Sequence, residues 1–342
     1  MNVKIIGVGG CGINILDTLI DFGFDPENAI FMNTDISMRS RVKSDNFVQL
    51  GKIVFNGLGT GNNPNSGRVA VELSKSEIVE TMKDADMVIL LAGLAGGTGG
   101  GGIPVIASLV LDYIEVKPIA FVTLPAEFEG EKRRAKAEAA LSNLNAVLDE
   151  KNIHVVKTAS GTLTTMFDNT DKLVAKKIKE LLGESFFQRQ KRVFLGGSKS
   201  ITELTEDEKA VIDEYIENDY QILVGDCHGA DTEIQKHLVE RGYKNIKVYA
   251  TDGEARNNIG NFKVIDCPSM RTPEACARKD YSYYRVKDRR MLALCDEILM
   301  FWDGSSNASH DNLQEGVRMK KPTKSVLRPF EIRELKIEDD IT

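Results

Sequence analysis

Seven of the ten residues from Gly93 to Gly102 are glycine, and this run constrains the chain more than any other feature. Ala92-Gly93-Leu94-Ala95-Gly96-Gly97-Thr98-Gly99-Gly100-Gly101-Gly102 follows the apolar run Met87 to Leu91 and precedes Ile103-Pro104. Glycine gives up more conformational freedom on ordering than any other residue, so a mere connection would not concentrate it. A backbone without side chains can instead bring its amides onto a polyanion, and proline suits the first turn of a helix. The segment reads as a strand, a phosphate-cradling turn and a helix start.

A second glycine turn lies upstream. Gly7-Val8-Gly9-Gly10-Cys11-Gly12 follows the strand-like Val3 to Val8 and opens a helical pattern, with Asp35 at the end of the next strand. By itself this spacing describes a dinucleotide site, with the acid on a ribose. Two phosphate-cradling loops on neighbouring strands suit a triphosphate better than a pyrophosphate, because each helix N-terminus offers its own set of free amides.

Around these loops, strands and helices alternate. Val3 to Val8, Ala29 to Met32, Met87 to Leu91, Ile119 to Thr123 and His154 to Val156 read as strands, and Leu163 to Leu182 as a helix capped by Gly183. Past the polar stretch from Phe186 to Lys191 the pattern restarts. Strands are expected at Arg192 to Leu195, Ile222 to Val224, Ile246 to Tyr249 and Glu297 to Phe301, and helices at Glu206 to Glu217, Thr232 to Arg241 and Tyr284 to Leu294. Alternation of this kind builds parallel sheets covered by helices on both faces. The fold class expected is α/β, two Rossmann-like parallel-sheet sandwiches in tandem. The expected boundaries are 1–185 for the first domain, 186–191 for a linker, 192–330 for the second domain and 331–342 for a solvated acidic tail.

The first half resembles FtsZ, the bacterial division GTPase of the tubulin group, motif after motif over about residues 1–182. Gly96-Gly97-Thr98-Gly99-Gly100-Gly101 is similar to the tubulin GGGTG[ST]G pattern, and Gly9-Gly10-Cys11-Gly12-Ile13-Asn14 to the first phosphate loop. Asn33-Thr34-Asp35 matches the NTD triplet, Gly57 to Arg68 the GLGAGANPxxGR loop, Phe128 to Arg133 the FEGxxR motif and Phe167 to Asp171 the opening of the central helix. The resemblance implies a GTP or GDP site, with Mg²⁺ as a possible companion ion. It places Gly9, Gly10, Cys11 and Asn14 under the phosphates, and Gly96, Gly97, Thr98, Gly99 and Gly100 around their β/γ end. Glu129 would hold the ribose and Arg133 the sugar or phosphate edge, while Phe167 stacks on guanine and Asp171 accepts from its N1 and N2 donors. A carboxylate separates guanine from adenine because guanine alone offers two adjacent donors on that edge.

The resemblance breaks after the long helix. FtsZ continues with an acidic N-x-D-x-x-D loop that positions water at a neighbour's nucleotide, whereas this chain has Gly183-Glu184-Ser185-Phe186-Phe187-Gln188. GTP binding is therefore better supported than hydrolysis, which requires a placed and polarised water. Self-association stays an expectation, since a head-to-tail contact can be rebuilt from other surfaces.

The second half is similar to the SLOG superfamily, Rossmann-like proteins that include LOG-type cytokinin-activating hydrolases and DNA-processing SMF proteins. The residues concerned are Val193 to Ser200, Leu223 to Asp231, Arg256-Asn257-Asn258, Lys287-Asp288 and Phe301 to Ser309. Three small-residue turns at strand ends, with Gly196, Gly197 and Ser198, with Gly225, Asp226 and Asp231, and with Asp303, Gly304 and Ser305, are expected to face one crevice and hold an unidentified nucleotide-like ligand. LOG enzymes carry a PGGxGTxxE turn, where this chain has Ala308 for the threonine and no glutamate at the matching place. A ligand sensor is thus favoured over a nucleotide-cleaving N-glycosidase; a nucleotide switch that does not assemble is the other alternative.

Composition narrows the partners. A net charge of −7 and a sequence pI near 5.4 disfavour nucleic acid and anionic membrane surfaces. Five scattered cysteines without a C-x-x-C pair, and no apolar stretch of about 18 residues, point to a cytoplasmic protein without a zinc site.

Overall fold

The computed structural model describes residues 1–162, 165–253, 255–269 and 280–336. Leu163, expected to begin the long helix, Cys276, and the 337–342 part of the expected tail lie outside the described residues. The chain divides into two compact units, Met1–Arg189 and Gln190–Thr342.

In the first unit, β1 (Val3–Val8), β2 (Ala29–Asn33), β3 (Phe47–Gln49), β4 (Met87–Gly93), β5 (Ile119–Thr123) and β6 (Ile153–Val156) form one parallel sheet in the order β3-β2-β1-β4-β5-β6. Three residues are too few to show an alternating pattern, which is why β3 is not legible in the sequence. Successive side chains of a strand point to opposite faces, and the core divides accordingly. Ile6, Val8, Met32, Leu90 and Val122 face α3 (Pro64–Leu73), α5 (Gly97–Leu109) and α6 (Glu131–Asn145). Ile5, Phe31, Ile89, Leu91 and Phe121 lie in a second cluster with Ile13, Leu16, Leu19 and Ile20 of α1 (Gly9–Asp21) and Val174, Ala175 and Ile178 of α7 (Met166–Leu182). The strand order reverses direction between β1 and β4, and the crevice at their carboxyl ends is where ligands bind in sheets of this type.

Part of the expected linker belongs to the first unit. Phe187 is buried against Phe24, with ring centroids 5.9 Å apart, and the Arg189 amide and Nε donate to the carbonyls of Gly23 and Ile20, both at 3.0 Å. An aromatic residue of that size is held where it can leave water, despite its polar neighbours.

The second unit has a seven-stranded sheet in the order β10-β9-β8-β7-β11-β12-β13. Its strands are β7 (Arg192–Gly197), β8 (Gln221–Gly225), β9 (Ile246–Thr251), β10 (Lys263–Cys267), β11 (Glu297–Trp302), β12 (Thr323–Leu327) and β13 (Glu331–Glu334). The all-parallel sheet expected for this unit is corrected here. β13 runs antiparallel to β12, so the sheet is mixed, and Glu331–Glu334 is an edge strand rather than a solvated tail. Its side chains stay exposed while its backbone satisfies the amides and carbonyls of β12, and an acidic sequence does not announce that function. Helices are capped where the sequence provides for it: Thr205 and Glu208 form a capping box, and Asp280 accepts from the Tyr283 amide at 3.0 Å. Among the described residues no helix is long and apolar enough to cross a membrane.

Candidate functional site

At the carboxyl ends of β1, β4 and β5 lies a cavity of about 330 Å³. Its phosphate-like end is built by two helix starts. α1 begins directly at Gly9, whose φ of +69° and closeness to Gly99, where a Cβ would stand 2.9 Å from the amide nitrogen, require glycine. α5 begins after Gly96, so the amides of Gly97, Thr98 and Gly99 lack intrahelical acceptors. Both helix dipoles present their positive ends to the same space, which suits an anion.

The glycine run turns out to have two purposes. Gly10 leaves open space that a ligand can approach, and a Cβ at Gly96 would meet the Gly93 carbonyl oxygen at an ordinary 3.6 Å. Gly100 and Gly101, by contrast, are packing positions: an added Cβ would stand 2.2 Å from the Leu94 carbonyl oxygen and 1.9 Å from that of Pro64. Gly67 of α3 faces the Gly97 carbonyl oxygen in the same way, at 2.1 Å, so α3 and α5 cross backbone against backbone. Gly100 therefore does not line the cavity, and neither does Asn14, which is exposed on α1. Gly9, Gly10, Cys11, Gly96, Gly97, Thr98, Gly99, Glu129, Arg133, Phe167 and Asp171 all do.

At the opposite end Asp171 and Thr170 of α7 are buried beside the half-exposed ring of Phe167. Asp171 is 8% exposed, and burial, with the charge of Asp168 added, pushes its carboxyl up to about 7. Glu129 accepts from the Ala126 amide at 2.8 Å and pairs with Arg133 at 3.1 Å, which fixes both on the rim. Cys11 lies 3.2 Å from the Thr123 hydroxyl, and burial pushes its thiol up to about 11, so it is a neutral wall rather than a nucleophile. Thr60, Asn62, Thr123, Pro125, Thr158 and Thr170 also line the cavity and were not singled out from the sequence. Thr60 and Asn62 stand in the loop whose Gly57, Gly59 and Gly61 all take positive φ, and that spacing was the available signal. Asp35 does not line the cavity; it caps the turn Ile36–Ser40 by accepting from the Ser37 amide at 2.9 Å.

The second unit has its own cavity, about 390 Å³, at the carboxyl ends of β7 and β11. Gly196, Gly197, Asp231 and Asp303 line it as expected, whereas Ser198, Gly225, Asp226, Gly304 and Ser305 do not. Ser198 is buried and accepts from the Asp303 amide at 3.1 Å. Gly225 is small because a Cβ there would lie 2.2 Å from Asp231 Oδ2 and 2.4 Å from Lys287 Nζ. Gly304, at a φ of +79°, makes the turn, and Ser305 donates its amide to Asp303 at 2.9 Å. Asp226 is taken up by Arg256, which donates Nε at 2.9 Å and a terminal nitrogen at 2.6 Å.

What lines this cavity instead is a buried charge cluster. Lys287, 5% exposed, lies 2.9 Å from Asp288, 3.8 Å from Asp231 and 3.9 Å from Asp226. Burial opposes its charge, yet the three carboxylates hold its ammonium above the usual lysine range. Asp231 is pushed up to about 6 by burial against the pull of Lys287. Burial also raises Asp226, but the hydrogen bonds from Arg256 and the charge of Lys287 outweigh it and hold its carboxyl below the usual range. Asp303 is held far below that range, against a burial penalty, by bonds from Ser200, Ser305 and Ser306, and so is a poor proton donor. Tyr284 receives Arg256 over its ring at 4.6 Å. Arg285, Lys287, Asp288 and Arg290 are all buried on one helix, Tyr281–Leu294, and such residues are buried almost only when paired.

Comparison with known proteins agrees with the first unit. Residues 2–153 match the model described as Tubulin/FtsZ family, GTPase domain. The cell division protein FtsZ of Mycoplasmopsis pulmonis (strain UAB CTIP) is 44% identical over 148 residues, which are 43% of this chain and 37% of that protein. A solved structure described as FtsZ dimer, empty, from M. jannaschii, superposes with a TM-score of 0.50 and 31% identity over 55% of this chain and 56% of that one. The chain thus spans little more than a third of the first relative and about half of the second. The sheet, its two glycine-opened helices and these matches together support a Tubulin/FtsZ-type domain within the first unit.

Proposed function

We propose that the first unit binds GTP or GDP and that nucleotide binding drives association of the chain with further copies of itself. The observation that carries this reading is the two-ended cavity, with free helix amides at one end and, at the other, the buried Asp171 beside Phe167. Free amides match phosphates, the ring matches a base face, and a carboxylate matches the two adjacent donors of guanine. Hydroxyls and amides dominate the phosphate end, so an accompanying Mg²⁺ would be held chiefly by phosphate oxygens. The lack of an acidic triplet after α7 favours a slow hydrolysis that another surface must complete. The second unit, on its SLOG resemblance and its charged cavity, binds a nucleotide-like ligand that biases assembly; such coupling requires that the ligand favour one state.

Self-association is supported by an apolar patch on the segment that leads to Thr60 and Asn62: Ile53 is 94% exposed and Leu58 88%, with Val54 beside them. Surface apolar groups gathered this way mark contact sites. Sedimentation tests the reading. GTP is expected to bring the protein into the pellet where ATP does not, and Ile53→Glu with Leu58→Glu to keep it in the supernatant. Equal pelleting with ATP, or pelleting unchanged in the double variant, would overturn the proposal.

A further inference from the structure

The hydroxyls of Thr34 and Thr98 lie 2.9 Å apart, and their hydrogen bond has a direction that the rest of the structure fixes. Thr34 stands just after β2 and is 0% exposed; Thr98 is the second residue of α5, 7% exposed, and lines the cavity. A buried hydroxyl places its proton on an acceptor, because leaving it unmade forfeits the whole cost of desolvation. Among the described residues the Thr34 hydroxyl has one hydrogen-bond partner, the Thr98 oxygen. Thr34 therefore donates and Thr98 accepts. A hydroxyl has a single proton, so that of Thr98 is turned away from Thr34 and toward the cavity.

We infer that Thr34 is a positioning residue for phosphate: it makes Thr98 an obligate donor, alongside the free amides of Gly97, Thr98 and Gly99. Three amides and one oriented hydroxyl then present four donors at this spot. The ligand atom that all four can bond is an acceptor, a phosphate oxygen. Without Thr34, the Thr98 hydroxyl can rotate and loses the alignment that makes the bond to an ionised oxygen strong. The inference rests on the nucleotide reading above, and its test keeps the two apart.

The test is a double-variant cycle on GDP binding to the intact chain, measured by calorimetry. Thr34→Val, nearly isosteric, is expected to weaken GDP about five- to tenfold, the scale of one ordinary hydrogen bond, and Thr34→Ser to restore it. Thr98→Val is expected to weaken GDP at least as much, and the double variant no more than Thr98→Val alone, since Thr34 acts through Thr98. Melting of each unliganded variant reports whether it is folded, and Thr34→Ser provides the folded comparison should Thr34→Val fail. Losses that multiply in the double variant, an unaltered affinity in Thr34→Val, or no rescue by serine would overturn the positioning role. Absence of GDP binding by the unsubstituted protein would instead overturn the nucleotide reading.

Discussion

Asp171→Asn is expected to make the unliganded first unit more stable at pH 8 while costing it about 1–3 kcal/mol of guanine-nucleotide binding, roughly five- to a hundredfold in affinity. Both effects come from one buried carboxylate. Its folded pKa of about 7 lies above the ordinary 3.8, so the ionised form is disfavoured by folding. The destabilisation is absent below about pH 4, grows as pH rises, and is complete above about 7; there the amide removes about 2–4 kcal/mol of cost. Guanine, on the other hand, needs two acceptors, and asparagine substitutes a donor for one of them. The same argument makes GDP affinity of the unsubstituted protein fall as pH drops below about 7, because the bound state requires the ionised carboxylate. Thermal melting at pH 5 and pH 8, with titrations at both, checks the pair of effects. A destabilised variant that binds GDP normally would show that Asp171 is a structural residue.

Lys287→Met is expected to be the most damaging substitution in the second unit. It leaves Asp226, Asp231 and Asp288 buried around an apolar side chain, at a cost of about 3–5 kcal/mol. For a unit of this size that corresponds to a melting temperature lower by on the order of 10 °C. Adding Asp231→Asn should recover part of the loss, since this carboxyl is already pushed up to about 6 by burial. A single variant that melts as the parent does would mean that Arg256 and Arg285 suffice to balance the cluster.

The sequence shows how far local patterns carry such readings. Strands buried on both faces, such as Met87–Gly93, announce themselves by continuous apolar runs, and the glycine turns at their ends located the first cavity. Gly100, expected at the phosphates, is a packing position instead, because a glycine required by close backbone packing looks the same in sequence as one required by a ligand. Short or edge strands, Phe47–Gln49 and Glu331–Glu334, carry too little pattern, since the partner strand's backbone decides them. In the second unit the turns pointed to a crevice that Gly196, Gly197, Asp231 and Asp303 line, while their other named residues turn out to hold the turns and the ion cluster together. Asp226 and Gly225 serve the packing of an ion cluster whose cations, Arg256 and Lys287, come from distant segments. No spacing rule connects such residues before the fold does.

The central claim is that the first cavity selects guanine, and titration calorimetry of the intact protein with GDP and ADP at pH 8 tests it most directly. The two-donor edge of guanine facing the Asp171 carboxylate predicts GDP binding at least tenfold tighter than ADP, with the difference abolished in Asp171→Asn. Equal affinity for the two nucleotides, or tight NAD binding that depends on Asp35, would contradict it.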